Sequence, residues 1–96
     1  MGSAMNIRQA FAHSLRRFRQ LKHVSQEDFS EVSSRTYISQ LERGLKSPTL
    51  DKLNELAGPL GVHPLSPILL AYLKAEEGAD LDKLLARVRA EVAECL

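Results

Sequence analysis

The sequence predicts an all-α fold. Apolar residues recur at helical spacing, as with Phe11, Leu15 and Phe18 at positions i, i+4 and i+7. Residues that cap helices precede most of these segments, and no segment shows the alternation of a strand. The chain has 96 residues, of which 44% are hydrophobic, and this is enough for the core of one domain.

The first two helices are predicted from their caps and apolar spacing. The first should run over about residues 7–22. Ser25 is a suitable N-cap for a short second helix over about residues 26–32, and Asp28 three positions later completes a capping box. Phe29 is expected to anchor this second helix in the core.

The next two helices are delimited by polar caps and glycines. Ser33 or Ser34 can cap the third helix, and Gly44 can close it in the left-handed conformation. Thr49, next to Pro48, is expected to begin the fourth. A kink or an early end is expected at Gly58-Pro59, because proline lacks the N–H that would bond to Glu55.

Two further helices complete the prediction. The fifth should open at Pro64 or Pro67 and reach about Glu77, with Gly78 after it. Asp80 should cap the last helix, which carries an apolar stripe. The members of that stripe are Leu81, Leu84, Leu85, Val88 and Val92.

Composition limits the possible classes of protein. The net charge is +1, with +3 over residues 1–63 and −2 over residues 64–96, so the body is mildly basic and the end is acidic. A single cysteine, Cys95, cannot form an internal disulfide, which fits a reducing cytoplasm. No apolar run approaches the roughly 20 residues of a membrane span. Residues 1–5, MGSAM, have the composition of a tag remnant ahead of a native Met5.

The stretch SSRTYISQLERG, residues 33–44, has two different faces when it is wound as a helix. Ile38 and Leu41 share an apolar side, whereas long polar and positive groups occupy the other side. A solvated surface helix would show the same pattern. A surface that binds a partner outside the protein is the other interpretation.

Several fragments together indicate a family. LRRFRQLKHVSQEDFS, YISQLERG, SPTLDKLNELA and LGV follow one another in an order and spacing that resembles the lambda-repressor-like (XRE) family of DNA-binding regulators. The resemblance covers roughly residues 8–72. It implies a five-helix lambda-repressor-like DNA-binding domain over residues 6–76, with an extra C-terminal helix over residues 77–96.

The resemblance also implies a binding site for double-stranded DNA. The groove helix, about residues 34–43, would enter the major groove and read base edges, and the preceding helix would lie across the backbone. Tyr37 could instead wrap the edge of the core. The implied DNA-binding residues are Gln26, Ser34, Arg35, Thr36, Tyr37, Gln40, Arg43 and Lys46.

Two more features follow from the family pattern. Arg19 and Glu42 are expected to form a buried salt bridge that holds the groove helix on the first helix. The turn between the two helices is about two residues shorter than in the family, and it lacks the usual glycine. Either the second helix ends early, or the two helices meet at a different angle.

The last helix has two possible roles, because its stripe could complete the core or meet a second copy. We favour a homodimer, since small regulators of this type bind two half-sites about one DNA turn apart. The expected dimerisation residues are Tyr72, Leu73, Leu81, Leu84, Leu85, Val88 and Val92.

The predicted function is therefore a cytoplasmic, sequence-specific transcriptional regulator, a repressor that binds a palindromic operator as a dimer. No arrangement of nucleophile and base, phosphate loop or metal-ligand spacing is visible, so neither an enzyme nor a cofactor is predicted. The alternative is a protein–protein interaction module, or an antitoxin-like partner of another protein, that retains the helix-turn-helix fold.

Overall fold

The computed structural model describes residues 5–96, and over this range its regular structure is entirely helical. The predicted tag remnant therefore falls, apart from Met5, outside the described residues. The all-α prediction is confirmed. The elements are α1 (Ile7–Leu21), a 3₁₀ helix (Gln26–Phe29), α2 (Arg35–Glu42), α3 (Leu50–Leu60), α4 (Leu65–Ala75) and α5 (Leu81–Cys95).

The predicted polar caps begin four of these elements. Ser25 and Asp28 form the expected capping box, in which the Ser25 N–H donates to Asp28 Oδ2 at 2.7 Å. Ser34, and not the serine before it, caps α2, and its hydroxyl accepts from the Tyr37 N–H at 3.1 Å. Thr49 and Asp80 cap α3 and α5 in the same way. Local side-chain chemistry thus sets where these helices start.

The second predicted helix, over residues 26–32, was wrong in length and in type. The structure has a four-residue 3₁₀ helix there, which ends at Phe29. The N–H of Val32 then bonds to the Phe29 carbonyl at 2.9 Å, and the N–H of Ser33 bonds to the same carbonyl at 2.8 Å. An α-helix as far as Val32 would leave one residue to redirect the chain before the cap at Ser34. The early end is thus imposed by the short turn.

The early end expected at Gly58-Pro59, as one of two outcomes, was wrong, because α3 continues through both residues to Leu60. Pro59 lies in the last turn, so it removes only one hydrogen bond, to Glu55. Glu55 and Gly58 are exposed, and water can replace that bond. Gly61 then ends α3 in the left-handed conformation at φ 67°. Helix α4 ends at Ala75, two residues before the predicted end.

The core forms where α1 packs against α4 and α2, with α3 and the 3₁₀ helix closing it. A buried hydrogen bond from Ser14 Oγ to the Pro67 carbonyl, 2.7 Å long, joins α1 to α4. This packing makes α1 the central support of α2. The buried apolar cluster contains Ala10, Phe11, Leu15, Phe29, Ile38, Leu41, Leu53, Leu56, Leu60 and Ala71.

Helix α5 differs from the others because none of its residues is buried. Its apolar side chains are therefore left on the surface, next to α4. No single helix in residues 5–96 has the length and apolar content to cross a membrane. Helices α3 and α4 have that length and apolar content only when they are taken together, and they meet at a bend of 108°.

The histidine on α1 predicts a pH dependence of stability. Partial burial of His13, aided by the positive charges of Lys74, Arg16 and Arg17, lowers the pKa of its imidazole below the ordinary value. The folded protein therefore disfavours the protonated form, and this residue costs stability as the pH falls below the pKa of the unfolded chain.

We expect the free energy of unfolding to fall more for the wild type than for His13→Gln as the pH is lowered from 7.5 to 5.5. Urea unfolding of both proteins at pH 7.5 and 5.5 measures the change in unfolding free energy of each. The contributions of the other titrating groups are the same in both proteins, so the difference between the two changes is due to His13. Parallel curves would show that His13 does not contribute.

Candidate nucleic-acid interface

Helix α2 has one buried face and one exposed polar face. Ile38 and Leu41 are fully buried, and they seat the helix on the core. Arg35 and Thr36 in its first turn, and Arg43 just after its end, are exposed. The helix is eight residues long, so it is held by packing and not by its own propensity.

A network of charged and polar groups fixes the inner end of α2. Glu42 is 6% exposed, and its two carboxylate oxygens accept from Arg19 Nε at 2.6 Å and Arg19 Nη2 at 3.0 Å. The Gln26 amide donates to the same carboxylate at 3.0 Å. One carboxylate therefore connects α1, the 3₁₀ helix and α2. We call this set, Arg19, Glu42 and Gln26, the anchor network.

Two further contacts extend the anchor network. Arg19 Nη1 donates to the Val24 carbonyl at 3.2 Å, so the segment before the 3₁₀ helix is held as well. Arg16 Nη1 donates to the backbone carbonyl of Glu42, one of the four carbonyls that α2 leaves without a helical partner. The hydrogen bond to Glu42 raises the pKa of the Arg19 guanidinium, against the opposing effect of burial, and the charge of Glu42 adds to the increase. Arg19 is thus fixed as a cation.

A polar cleft of about 430 Å³ lies along the outer side of α2. It runs from the start of the 3₁₀ helix to the end of α2. Its donors and acceptors include two guanidinium groups, an amide and two hydroxyls, which suit phosphate and base edges. The residues that line it are Gln26, Arg35, Thr36, Ser39 and Arg43.

Four of the predicted DNA-binding residues therefore line this cleft, and four do not. Ser34 is the cap of α2, and its hydroxyl is occupied by the Tyr37 N–H. Gln40 is half-buried beside the cleft, and Lys46 is exposed beyond the end of α2. Ser39 lines the cleft but was missing from the predicted set, although its position on the polar side of the helix was a usable signal.

Tyr37 occupies the edge of the core, which was one of its two predicted positions. Its half-buried ring packs against the apolar cluster. The Lys52 ammonium lies 5.6 Å from the ring centroid, within the range of a cation–π interaction. The packing holds the first turn of α2 on its support.

The shortened turn is stabilised by a residue that sequence analysis did not identify. Lys52 of α3 donates to the Val32 carbonyl at 3.0 Å, and it also pairs with Glu55 at 3.4 Å. Among the described residues, Ser33 Oγ is the buried side-chain oxygen left without a hydrogen-bond partner. Lys52 and Val32 are 20 residues apart, so no local pattern could have indicated this contact.

One acidic side chain lies close to the cleft. Glu27 Oε1 is 3.3 Å from Arg35 Nη1, and both side chains are at least 70% exposed. An exposed pair of this kind contributes less than about 1 kcal/mol, so a phosphate can compete for the guanidinium. The pair keeps Arg35 close to the cleft without burying its charge.

The predicted dimerisation residues lie on α4 and α5. An apolar groove of about 270 Å³ separates the two helices, and Tyr72, Leu84, Leu85 and Val88 are among its lining residues. Leu81 and Val92 are exposed along α5 beside it, whereas Leu73 is outside the lining. Over residues 5–96, no group of three or more His, Cys, Asp or Glu side chains is placed to hold a metal ion.

The anchor network predicts a large loss of stability when its cation is removed. Arg19→Met would leave the Glu42 carboxylate buried with only the Gln26 amide beside it. Breaking a buried ion pair by removing one partner lowers the free energy of unfolding by at least about 3 kcal/mol. We expect a loss of about 3 kcal/mol or slightly less here, because Arg19 is 21% exposed. Urea unfolding would measure the change.

Arg17→Met is the matched control, since Arg17 is on the same helix, is exposed and has no ion pair among the described residues. The control should change stability by less than about 0.5 kcal/mol. Equal stability of the two variants would contradict a structural role for the anchor network.

Comparison with known proteins places this geometry in a family. The sequence model of the helix-turn-helix family matches residues 15–65. The chain is 34% identical over 76 residues to the control protein C.SmaI of Serratia marcescens, covering 77% of this chain and 90% of that protein. It is 40% identical over 62 residues to the control protein C.BamHI of Bacillus amyloliquefaciens, covering 62% and 76%.

A third relative is an uncharacterized HTH-type transcriptional regulator, y4dJ, of Sinorhizobium fredii, which is 40% identical over 60 residues, covering 60% of this chain and 78% of that protein. Among solved structures, none matches the chain significantly. The matched segment begins in α1 and contains the anchor network, the 3₁₀ helix and α2. The chain belongs to the XRE-type helix-turn-helix family of DNA-binding transcriptional regulators, with a lambda-repressor-like fold.

Proposed function

We propose that this protein is a sequence-specific repressor that binds a palindromic operator as a homodimer. Helix α2 would enter the major groove of each half-site. The observation that carries the proposal is the polar cleft beside a helix whose opposite face is fully seated on the core. Such a helix can be pressed against DNA without moving relative to the body.

The proposed contacts divide into two kinds. Arg35, Thr36 and Gln40 would face base edges, since a guanidinium can bond to guanine with two N–H groups and a glutamine amide can do the same with adenine. Gln26, Arg43 and Lys46 would contact phosphates and add affinity without reading sequence. Tyr37 and Ser34 would act mainly by shaping the first turn of α2.

Gln26 has a double role in this proposal. Its amide nitrogen donates to Glu42 at 3.0 Å, so its side chain is held in a fixed direction at the edge of the cleft. The second amide hydrogen can then donate to a phosphate oxygen. A phosphate bound there would be positioned by the same network that fixes α2.

The proposed homodimer would use the exposed apolar face formed by α4 and α5. Tyr72 is 50% exposed, and Leu85 and Val88 are 44% and 39% exposed, on both sides of an apolar groove. A contiguous surface of this kind marks an interaction site in a small protein. Two copies related by a two-fold axis would present two α2 helices to successive turns of one face of the duplex.

A protein–protein module is the second candidate, and the shortened turn favours it. The 3₁₀ helix contains four residues, so it offers less length along a DNA backbone than an α-helix would. The net charge of +1 also gives little general attraction to DNA. In this alternative, the α4–α5 face would bind a different protein.

Selection from a random pool of duplex DNA at moderate salt tests the proposal. We expect recovery of an inverted repeat whose half-sites are about one turn, ~34 Å, apart. A recovered single half-site would contradict the dimer. A pool that stays random would contradict sequence-specific binding and favour the protein–protein module.

The base-reading residues can be tested on the recovered operator. We expect Arg35→Ala and Gln40→Ala each to weaken binding by about 1–3 kcal/mol, and to relax the preference at one position of each half-site. Fluorescence anisotropy with the operator and with single-base variants measures both effects.

Arg87→Ala is a control for the loss of one positive charge, because Arg87 lies on α5 and pairs with Glu91 at 3.1 Å. Circular dichroism would verify that each variant is folded. Unchanged affinity in both Arg35→Ala and Gln40→Ala would overturn the assignment of α2 as the reading helix.

A further inference from the structure

Helix α5 carries a heptad-like apolar stripe that the described chain covers only in part. The stripe consists of Leu81, Leu85, Val88 and Val92, which follow each other at intervals of four, three and four residues. Their side chains are 46%, 44%, 39% and 52% exposed. This spacing is that of the contact positions of a two-stranded coiled coil.

The stripe has a reason to be covered. A helix of 15 residues is marginal in water when it is isolated, and α5 has no buried residue. Leu84, next to the stripe, points into the apolar groove with α4 and is half-buried. Leu85 and Val88 also line that groove, yet they remain 44% and 39% exposed, so contact with α4 covers the stripe only in part.

The other edge of the stripe carries two opposite charges. Asp82 and Arg89 are seven residues apart, which places them on the same side of α5, about 10 Å from each other along the axis. Neither has an ion-pair partner within residues 5–96. In contrast, Arg87 on the outer side already pairs with Glu91.

From these positions we infer that α5 pairs in an antiparallel direction with α5 of a second copy. The inference rests on the homodimer proposed above and specifies its interface. Leu85 would pack against Val88 of the partner subunit, and Leu81 against Val92 of the partner subunit. In that register Asp82 lies beside Arg89 of the partner subunit, and the two-fold axis repeats the pair.

Charge complementarity distinguishes this arrangement from a parallel one. In a parallel coiled coil, each flanking residue faces the residue five positions earlier on the other helix. Arg89 would then face Leu84 of the partner subunit, and Asp82 would face a position before the start of α5. Neither charge would gain an oppositely charged neighbour. In the antiparallel arrangement, Asp82 and Arg89 of each copy both gain an oppositely charged neighbour, which makes two ion pairs in the dimer. The surface is thus complementary to itself, as a two-fold interface requires, and this identifies a second copy as the occupant.

Disulfide cross-linking tests the direction. In a Cys95→Ser background, the double variant L81C/V92C should form an intersubunit disulfide under mild oxidation, because residues 81 and 92 of different copies are opposite each other. The two cysteines of one chain are 11 residues apart, about 16 Å along the helix, and cannot bridge.

The single variants L81C and V92C, in the same background, are the controls. Each should remain uncross-linked, since identical residues of the two copies are also about 16 Å apart along the axis. Cross-linking of either single variant would overturn the antiparallel direction. Absence of cross-links in all three variants would overturn the pairing of α5 altogether.

Charge reversal tests the register with the native apolar stripe intact. R89E would place two carboxylates together at each end of the interface, and we expect the dissociation constant of the dimer to rise roughly 3–10-fold. D82K/R89E should recover more affinity than the two single variants predict by addition. K83E is the control and should leave the dimer unchanged, because Lys83 is exposed on the outer side of α5 and has no ion pair among the described residues.

Sedimentation and operator binding separate the two levels of the proposal. A wild type that is dimeric and binds an inverted repeat, but shows no coupling between positions 82 and 89, overturns this register and leaves the proposed function intact. A wild type that stays monomeric on its operator overturns both the register and the proposed dimer.

Discussion

The contact between Arg19 and the buried carboxylate of Glu42 is the interaction on which the position of α2 and of its polar side depends. Two hydrogen bonds, at 2.6 and 3.0 Å, join the end of α1 to the end of α2. Glu42 is the last residue of α2, so the contact fixes the helix at the end opposite to its cap. Hydrophobic packing through Ile38 and Leu41 seats the helix, and the ion pair adds a directional contact at its end. The ion pair thus helps to fix the direction in which the polar side of α2 faces.

Neighbouring residues supply most of the hydrogen bonds that the shortened turn needs. The chain replaces an α-helix by one 3₁₀ turn, and Lys52 supplies the donor that the Val32 carbonyl would otherwise lack. One buried hydroxyl, that of Ser33, is left without a partner. A single unsatisfied group costs about 1–3 kcal/mol, which a core of this size can offset. Helix α2 is joined to α1 through Glu42 and Arg19, although the element before it has only four residues.

The accuracy of the sequence-based predictions depended on the range of the interactions involved. The caps at Ser25, Thr49 and Asp80 were predictable, because a side chain and an N–H three residues later determine them. The short turn left an early end of the second helix as one of two alternatives, and the structure shows that end at Phe29. The bond from Lys52 to the Val32 carbonyl was not predictable, since it joins residues 20 apart. The continuation of α3 through Pro59 depends on how close that residue is to the helix end. For the site, the polar side of α2 was visible from periodicity, whereas the hydrogen bond from Gln26 to Glu42 needed the fold.

The size of α2 links the two proposed surfaces. Eight residues make a helix about 12 Å long, which can contact only a few base pairs of the major groove. So few contacts cannot distinguish an operator from the many competing sites of a genome. Joining two copies doubles the number of base contacts, and binding of either half-site raises the effective concentration of the second. If α5 provides that junction, its stripe contributes to sequence specificity without contacting DNA, because it sets the distance and direction between the two α2 helices. Operator and partner copy then stabilise each other's binding, as thermodynamic linkage requires.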